Sequence, residues 1–389
     1  MKKVLFLPLF TMASGHHKVS DAMIDAFQEE FPSIQCKKAD FLSFASPALE
    51  KGISRLYTSW IKKAPAIYSR FYRRFFSHDS SLIQGIYEAF FLEKMEELLL
   101  REQPNLIVCT HSFTSFLAAK LKKHGMLTAP VINVYTDFFI NSLWGRHEID
   151  WHFVPSRQIK TQLENAGVSA EKIKITGICV HDQIKAKRRR KSYREPVHIL
   201  IAGGSLGLLN DFKLENCDRS FSAEYRILCG TNLPLYKNIK EKKIPSVIPY
   251  SYVHSKEKMN ELYDWADLII TKPGGATISE ALRKQVPIFL HSVLPGQEEK
   301  NVEYLTARGL VHILNSDLPF EKQLFKIIQS QPVAYKKYKT AQFYLNELEF
   351  STSAEVCRFI EKAILNQGET EHSAYIDTIF FQLYGSLEH

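Results

Sequence analysis

Short apolar runs alternate with helical stretches along the chain. Residues 4–9 form the first apolar run, residues 20–30 have the pattern of a helix, and further apolar runs end near residues 110, 135 and 155. Strands that alternate with helices in this way are typical of parallel sheets covered on both faces. We therefore predict an α/β domain in the first half of the chain, with its ligands at the carboxyl ends of the strands.

The same alternation begins again after a basic stretch. Val197–Ala202 is a predicted strand, and four more predicted strands follow before a closing helix at residues 353–365. The chain is too long for one compact core but fits two domains. The predicted parts are an N-terminal domain at 1–184 with a helical insertion at 41–100, a linker at 185–195, a second domain at 196–345, a C-terminal helix at 346–366 and a tail at 367–389.

The chain has a formal net charge of +8 over 389 residues. This balance indicates an anionic partner, and nucleic acid, an anionic membrane or a phosphorylated substrate would each satisfy it. The six cysteines form no CxxC pair, so we expect free thiols in a reducing compartment. The run at residues 4–9 is short for a signal peptide, and no run reaches the ~18 residues of a membrane span. We therefore expect a cytoplasmic protein.

Residues 47–76 combine cations with aromatic rings and contain one acid, Glu50. Aromatic rings partition into the headgroup layer, and each cation gains about 1 kcal/mol near an anionic leaflet. We predict that this segment binds an anionic membrane surface; the alternative is a helical hairpin whose rings pack on their own domain. Nucleic acid is not expected as a partner, because no recognisable nucleic-acid-binding module is present. The candidate membrane-contacting residues are Tyr57, Trp60, Lys62, Lys63, Arg70, Phe71, Arg73 and Arg74.

Gly15 and His16 follow the first predicted strand and precede a helix. A glycine there lets the backbone approach a ligand, and a helix N-terminus favours negative charge. A histidine at this place can take a proton from an attacking hydroxyl near neutral pH. The pair predicts a catalytic base at His16; a histidine that only caps the helix is the alternative.

Two glycine-rich turns end strands of the second predicted domain. The first contains Gly204 and Ser205 in the sequence GGSLG, whose N–H groups can cradle a diphosphate. The second, in TKPGGATISE at residues 271–280, leads into a helix whose first residues face an anion. Glu280 can accept hydrogen bonds from ribose hydroxyls; a capped helix with a favourable glutamate is the alternative. The candidate phosphate-binding residues of the second turn are Gly274, Gly275, Ala276 and Thr277.

A third turn, PGQE at residues 295–298, follows the next predicted strand. Gln297 and Glu298 offer donors and acceptors suited to sugar hydroxyls, and Asn301 begins the helix behind them. Alone this is an ordinary turn, but the four motifs in this order are much harder to obtain by chance. The sequence has no His, Cys, Asp or Glu cluster with obvious metal-ligand spacing, so no metal or other cofactor is expected.

These motifs resemble glycosyltransferase family 28, and the resemblance covers roughly residues 2–365. It is strongest to the processive diacylglycerol β-glucosyltransferases and the monogalactosyldiacylglycerol synthases of that family. The matching stretches are VYTDF at 134–138 with Trp144, KITGI at 174–178, CGTN at 229–232, ITKPGGATISE at 270–280 and PGQE at 295–298. The resemblance implies a GT-B fold, in which two Rossmann-like domains face each other across a cleft and a C-terminal helix returns to the first domain. It further implies a UDP-sugar donor, inversion at the anomeric carbon and no essential metal.

The resemblance also implies roles for individual residues. His16 would deprotonate the acceptor hydroxyl, and Asp137 would orient His16 or act as the base itself. A lipid acceptor such as diacylglycerol, with Trp144 near it, would place the protein on the inner face of the cell membrane. On the donor side, Val253 would contact uracil and Glu280 would hold the ribose. Ser205 and residues 275–277 would hold the diphosphate, and Gln297 and Glu298 would hold the hexose. The other residues expected near the donor are Gly15, Gly204, Thr231, Gly274 and Asn301.

Three positions depart from the family pattern. Ala13 stands where a further glycine is usual, Asn141 where lipid glycosyltransferases commonly have a histidine, and Cys179 where a proline usually follows TGI. Two other hypotheses therefore stay open. One is a UDP-N-acetylglucosamine 2-epimerase, which shares the GT-B architecture, and the other is a UDP-sugar-binding protein without catalytic activity.

Overall fold

A computed structural model gives the fold of most of the chain. The segment with the predicted membrane-contacting residues, Ser205, most of the basic linker and the tail lie outside the residues it describes. Those residues are 1–9, 14–48, 50, 82–186, 195–204, 222–291, 293, 297–315, 318–329 and 331–366.

The first half of the chain forms a six-stranded parallel sheet in the order β2-β1-β3-β4-β5-β6. Its central strands are buried along their whole length, because helices cover both faces. The edge strand β2, of sequence QCKK, is mostly exposed, and apolar patterning did not predict it. The strands are β1 Lys3–Leu7, β2 Gln35–Lys38, β3 Leu106–Cys109, β4 Val131–Val134, β5 Trp151–Val154 and β6 Ile173–Ile175.

In the part of the first domain that the structure describes, five helices surround this sheet. Val19, Met23 and Phe27 of α1 are fully buried in the larger core cluster, while Leu117 and Ala118 of α4 are fully buried in the cluster on the other face. The predicted α/β layering is therefore confirmed. The helices are α1 Gly15–Glu30, α2 Phe41–Ala45, α3 Leu82–Glu102, α4 Ser112–Lys123 and α5 Arg157–Asn165.

The second half of the chain repeats the architecture, with the strand order β12-β11-β10-β7-β8-β9, again all parallel. Its strands are β7 Val197–Ala202, β8 Ala223–Leu228, β9 Val247–Tyr250, β10 Leu268–Thr271, β11 Ile288–Leu290 and β12 Val311–Ile313. Its helices are α6 Leu233–Lys242, α7 Lys256–Trp265, α8 Gly275–Arg283, α9 Gln297–Ala307, α10 Phe320–Gln329 and α11 Gln331–Asn346.

The last helix, α12 at Ser353–Ile360, returns to the first domain as predicted and ends in a wider turn over Glu361–Leu365. The Cys357 thiol donates to the Met23 carbonyl of α1 at 3.5 Å, and Arg358 pairs with Glu30 at 2.7 Å. Asp182 accepts hydrogen bonds from the N–H groups of Ser353 and Ala354, so it caps α12.

Candidate functional site

The carboxyl ends of β1, β3 and β4 bring three loops together at the edge of the first sheet. His16 follows β1, His111 follows β3, and Asp137 follows β4. They line one small pocket. Gln297 of the second domain also lines it, so the pocket lies between the two domains. Its lining is His16, His111, Ser112, Tyr135, Thr136, Asp137, Phe139, Asn141, Trp144 and Gln297.

His16 is held by its Nδ1 atom, which lies 2.7 Å from the Thr110 carbonyl oxygen and 2.9 Å from Thr136 Oγ1. A carbonyl oxygen can only accept, so Nδ1 has the proton and Nε2 has the lone pair. Burial lowers the pKa of His16, and the negative charge of Asp137 and the Thr110 carbonyl oppose this only in part. The ring is therefore neutral near pH 7 and suited to accept a proton at Nε2.

His111 is a second pocket histidine that the sequence interpretation missed. Its ring meets the His16 ring edge-on, with 4.8 Å between centroids. The Phe113 N–H donates to its Nδ1 at 3.0 Å, which assigns the proton of the neutral ring to Nε2. Burial, followed by the neighbouring His16, holds the pKa of His111 well below its ordinary value. The feature of the sequence that could have identified His111 is its place directly after a buried strand.

Asn141 and Trp144 lie in the same pocket. Asn141 donates to Ser112 Oγ at 3.3 Å and accepts from the Leu143 N–H at 3.1 Å. Trp144 is only 7% exposed and packs on Tyr135 with 4.4 Å between ring centroids. The structure therefore gives Trp144 a position in the pocket wall. The prediction that Trp144 lies near the acceptor stays a prediction.

Two helix N-termini lie side by side where the domains meet. A Cβ atom on Gly15, the first residue of α1, would lie 3.9 Å from the Cβ of Ala276 in the first turn of α8. The N-cap residues Ser14 and Gly274 make no side-chain hydrogen bond to these first turns. The positive ends of two helix dipoles therefore converge on one place, which favours the binding of an anion such as a diphosphate.

Gly275 packs directly against the first domain. A side chain there would overlap the Thr136 carbonyl and approach Ile178 Cδ1 to 2.7 Å. Only glycine allows this approach, because the obstacle is backbone. The GG turn predicted to bind phosphate thus also forms a domain contact.

Glu280, the predicted ribose ligand, is oriented by a buried tyrosine. Tyr263 of α7 is fully buried, and its hydroxyl donates to Glu280 Oε2 at 2.7 Å. Burial, and then the charge of Glu280, raises the pKa of Tyr263 well above its ordinary value, so it stays a donor. Tyr263 is a site residue that the sequence interpretation missed, since it lies 17 positions from its partner.

The other predicted donor residues follow the carboxyl ends of strands in the second sheet. Gly204 follows β7 with φ +72°, a left-handed conformation suited to glycine. Thr231 follows β8 directly before Asn232, whose side chain caps α6. Val253 lies between β9 and α7. Strand order places these residues on the side of the sheet that carries the predicted donor site.

Gln297 and Glu298 form the first turn of α9, but Asn301 is committed to protein partners. It is 1% exposed, and its Oδ1 accepts from the Phe138 N–H at 2.8 Å. Its Nδ2 donates to Asp137 Oδ1 at 2.8 Å and to the Pro273 carbonyl at 2.9 Å. Asn301 thus joins the two domains, and its predicted contact with the donor stays a prediction.

Two negative findings, on metal sites and on membrane spans, hold for the described ranges. No group of three or more His, Cys, Asp or Glu side chains there has the arrangement of a metal site. None of the helices in those ranges combines the length and the apolar character that crossing a membrane requires.

Sequence comparisons match both halves of the chain. The family model described as monogalactosyldiacylglycerol (MGDG) synthase matches residues 16–180, and the glycosyltransferase family 28 C-terminal domain matches residues 198–346. The uncharacterized glycosyltransferase YkoN of Bacillus subtilis (strain 168) is 38% identical over 359 residues, which cover 90% of this chain and 94% of that protein. A processive diacylglycerol beta-glucosyltransferase of Staphylococcus saprophyticus is 26% identical over 380 residues, which cover 91% of this chain and 95% of that protein.

Solved structures share the fold at low identity. MurG of Acinetobacter baumannii superposes with a TM-score of 0.59 at 15% identity, covering 93% of this chain and all of that one. A putative UDP-N-acetylglucosamine 2-epimerase of Listeria monocytogenes gives a TM-score of 0.53 at 13% identity, covering 94% and 98%. These likenesses confirm the predicted GT-B fold, and they do not separate a transferase from an epimerase.

Proposed function

Because this chain belongs to glycosyltransferase family 28, we propose that it transfers a hexose, most simply glucose, from a UDP-sugar to a hydroxyl of a lipid such as diacylglycerol. The family match shows that the chain is a sugar-transferring enzyme related to the diacylglycerol glucosyltransferases. The UDP-sugar donor, the lipid acceptor and the membrane location are what we propose.

The placement of His16 is the observation that carries the proposal. Its tautomer leaves Nε2 as a proton acceptor in a pocket that Gln297 of the second domain also lines. An acceptor hydroxyl in this pocket would lose its proton to Nε2 while its oxygen attacks the anomeric carbon. The bond from that carbon to the β-phosphate oxygen breaks, UDP leaves, and the configuration inverts.

The leaving UDP gains negative charge, and the adjacent starts of α1 and α8 would stabilise this charge. Fixed N–H groups and helix dipoles need no reorganisation during the reaction. Glu280, oriented by Tyr263, would hold the ribose, and Gln297 and Glu298 would hold the hexose. We propose that this chemistry requires no metal ion.

Measurement of UDP release from UDP-glucose, with and without diacylglycerol in anionic vesicles, tests the proposal. The expected result is release that depends on diacylglycerol, together with a glycolipid product of inverted configuration. Conversion of UDP-N-acetylglucosamine to its 2-epimer without any acceptor would instead identify an epimerase. Binding of UDP-sugar with neither reaction would identify a protein without catalytic activity, and either outcome overturns the proposal.

A further inference from the structure

Asn301 lies where the two domains meet. Its amide oxygen accepts from the Phe138 N–H, and its amide nitrogen donates to both Asp137 and the Pro273 carbonyl, all within 2.9 Å. Asp137 and Phe138 belong to the first domain, whereas Pro273 belongs to the turn before α8. One buried side chain thus ties the acceptor-side loop to the donor-side turn.

The loop held by Asn301 also holds His16. Thr136 Oγ1 lies 2.9 Å from His16 Nδ1, and the Thr136 carbonyl packs against Gly275. The Phe138 ring stacks on Tyr304 of α9 with 5.2 Å between centroids and an interplanar angle of 9°. Residues 136–138 are therefore fixed at three successive positions, and close packing lets them shift only together.

Asn301 also follows the predicted hexose contacts along the helix. Gln297 and Asn301 are four positions apart, so they lie on the same face of α9. Gln297 lines the His16 pocket. A sugar that engages Gln297 therefore acts on the same helix face that holds Asp137.

We propose that Asn301 is a positioning residue: it orients Asp137 directly and His16 through the 136–138 loop, and so aligns the acceptor-side groups with the donor-side helix α9. The inference rests on the proposed function, since alignment matters only if these groups act on an acceptor. It gives Asn301 a role in turnover that is distinct from its predicted contact with the donor.

Two variants and a control test this role. Asn301→Asp is nearly isosteric and keeps an acceptor for the Phe138 N–H, but it opposes Asp137 with a second carboxylate. Asn301→Ala removes all three hydrogen bonds. Lys300→Ala is the control, because Lys300 lies beside Asn301 and its ion pair with Glu303 is on an exposed surface.

Both Asn301 variants should lower kcat by about 30-fold or more with UDP-glucose and diacylglycerol vesicles, while the KM for UDP-glucose changes by less than about threefold, since small misplacements of reacting groups cost rate. Lys300→Ala should match the wild type. A raised KM with unchanged kcat would show that Asn301 acts in donor binding and would overturn the inference. Full activity of Asn301→Asp would overturn it too.

A histidine titration by NMR gives a readout that needs no turnover. The groups facing His16 are His17 on α1, His111 at the start of α4, and Tyr135 and Asp137 after β4; Asn301 bonds directly to Asp137 alone among them. The charge of Asp137 raises the pKa of His16, so a loosened Asp137 should lower the midpoint in Asn301→Ala. His16→Gln identifies the signal. An unmoved midpoint overturns the inference, whereas a wild type that releases no UDP overturns only the proposed function.

Discussion

At the scale of single residues, the tautomer and charge of His16 decide what the pocket can do. Burial holds the pKa of His16 below its ordinary value of 6.5. The neutral ring is the reactive form, so the rate should stay level at neutral pH and fall only as the pH drops through that lowered value. The pH dependence of kcat/KM should show an acid limb with a midpoint below 6.5. A limb at higher pH would contradict this assignment.

Replacement of His16 gives the matching mutational result. His16→Ala should lower kcat by roughly 10²–10⁴-fold, the usual contribution of a positioned base. The affinity for UDP, measured by calorimetry, should change little, because the His16 ring is held by Thr110 and Thr136 of the first domain. If turnover stays within a few-fold of the wild type, Asp137 becomes the candidate base.

Glu280 and Tyr263 form a second testable pair at this scale. Glu280→Ala should weaken UDP binding by about 10- to 100-fold, since two ribose hydroxyls lose a charged partner. Tyr263→Phe should cost about fivefold, because the carboxylate remains but loses its orienting hydrogen bond. Glu257→Ala, at an exposed site on α7, is the control for calorimetry. Unchanged affinity in Glu280→Ala would refute the ribose role.

At the scale of elements, we propose that the adjacent starts of α1 and α8 supply the positive charge that a metal would otherwise provide. We therefore expect the proposed transfer to retain its rate in EDTA, as judged by UDP release. Loss of activity with chelator, followed by recovery with Mg²⁺ or Mn²⁺, would show that the helix N-termini are insufficient.

The start of α12 is capped by the Thr352 hydroxyl and by the carboxylate of Asp182. Asp182 accepts from two N–H groups of α12 and pairs with Arg283 at the end of α8 at 3.2 Å. Asp182→Ala should lower the free energy of unfolding by about 2 kcal/mol, because it removes a cap and leaves a partly buried guanidinium without its partner. Thermal unfolding would measure this. Arg358→Ala, which breaks only a more exposed ion pair on the same helix, should change stability by less than about 0.5 kcal/mol.

Elements with strong apolar patterns could be predicted from the sequence, and others could not. The runs LIVC of β3 and LIIT of β10 are buried on both faces, so their composition alone indicates strands. The edge strands β2, β6 and β12 were missed, because they are short or mostly polar and give no clear periodicity. The positions of the site motifs could also be predicted, because each motif follows a strand that local composition indicates. The bond of Asn301 to Asp137 was not, since it joins positions 164 residues apart in different domains.

At the scale of the whole molecule, a lipid acceptor requires contact with a membrane. We predict that residues 47–76 bind anionic vesicles, through rings that enter the headgroup layer and seven cations attracted to the leaflet. Salt should weaken the binding without abolishing it, because screening affects only the charges.

Vesicle co-sedimentation across a salt series measures this binding. A variant with Lys62, Lys63, Arg73 and Arg74 all changed to glutamate should be released from anionic vesicles and still bind UDP. If it sediments as well as the wild type, the membrane contact lies elsewhere.

The backbone passes between the domains twice, after Asp182 and again before Ser353, and these two residues touch. The two crossings of the backbone therefore lie side by side. Two adjacent crossings can serve as a hinge, and we expect the two halves to open about that line. Because α12 begins at this hinge and packs on α1, it links the opening of the cleft to a contact outside the pocket.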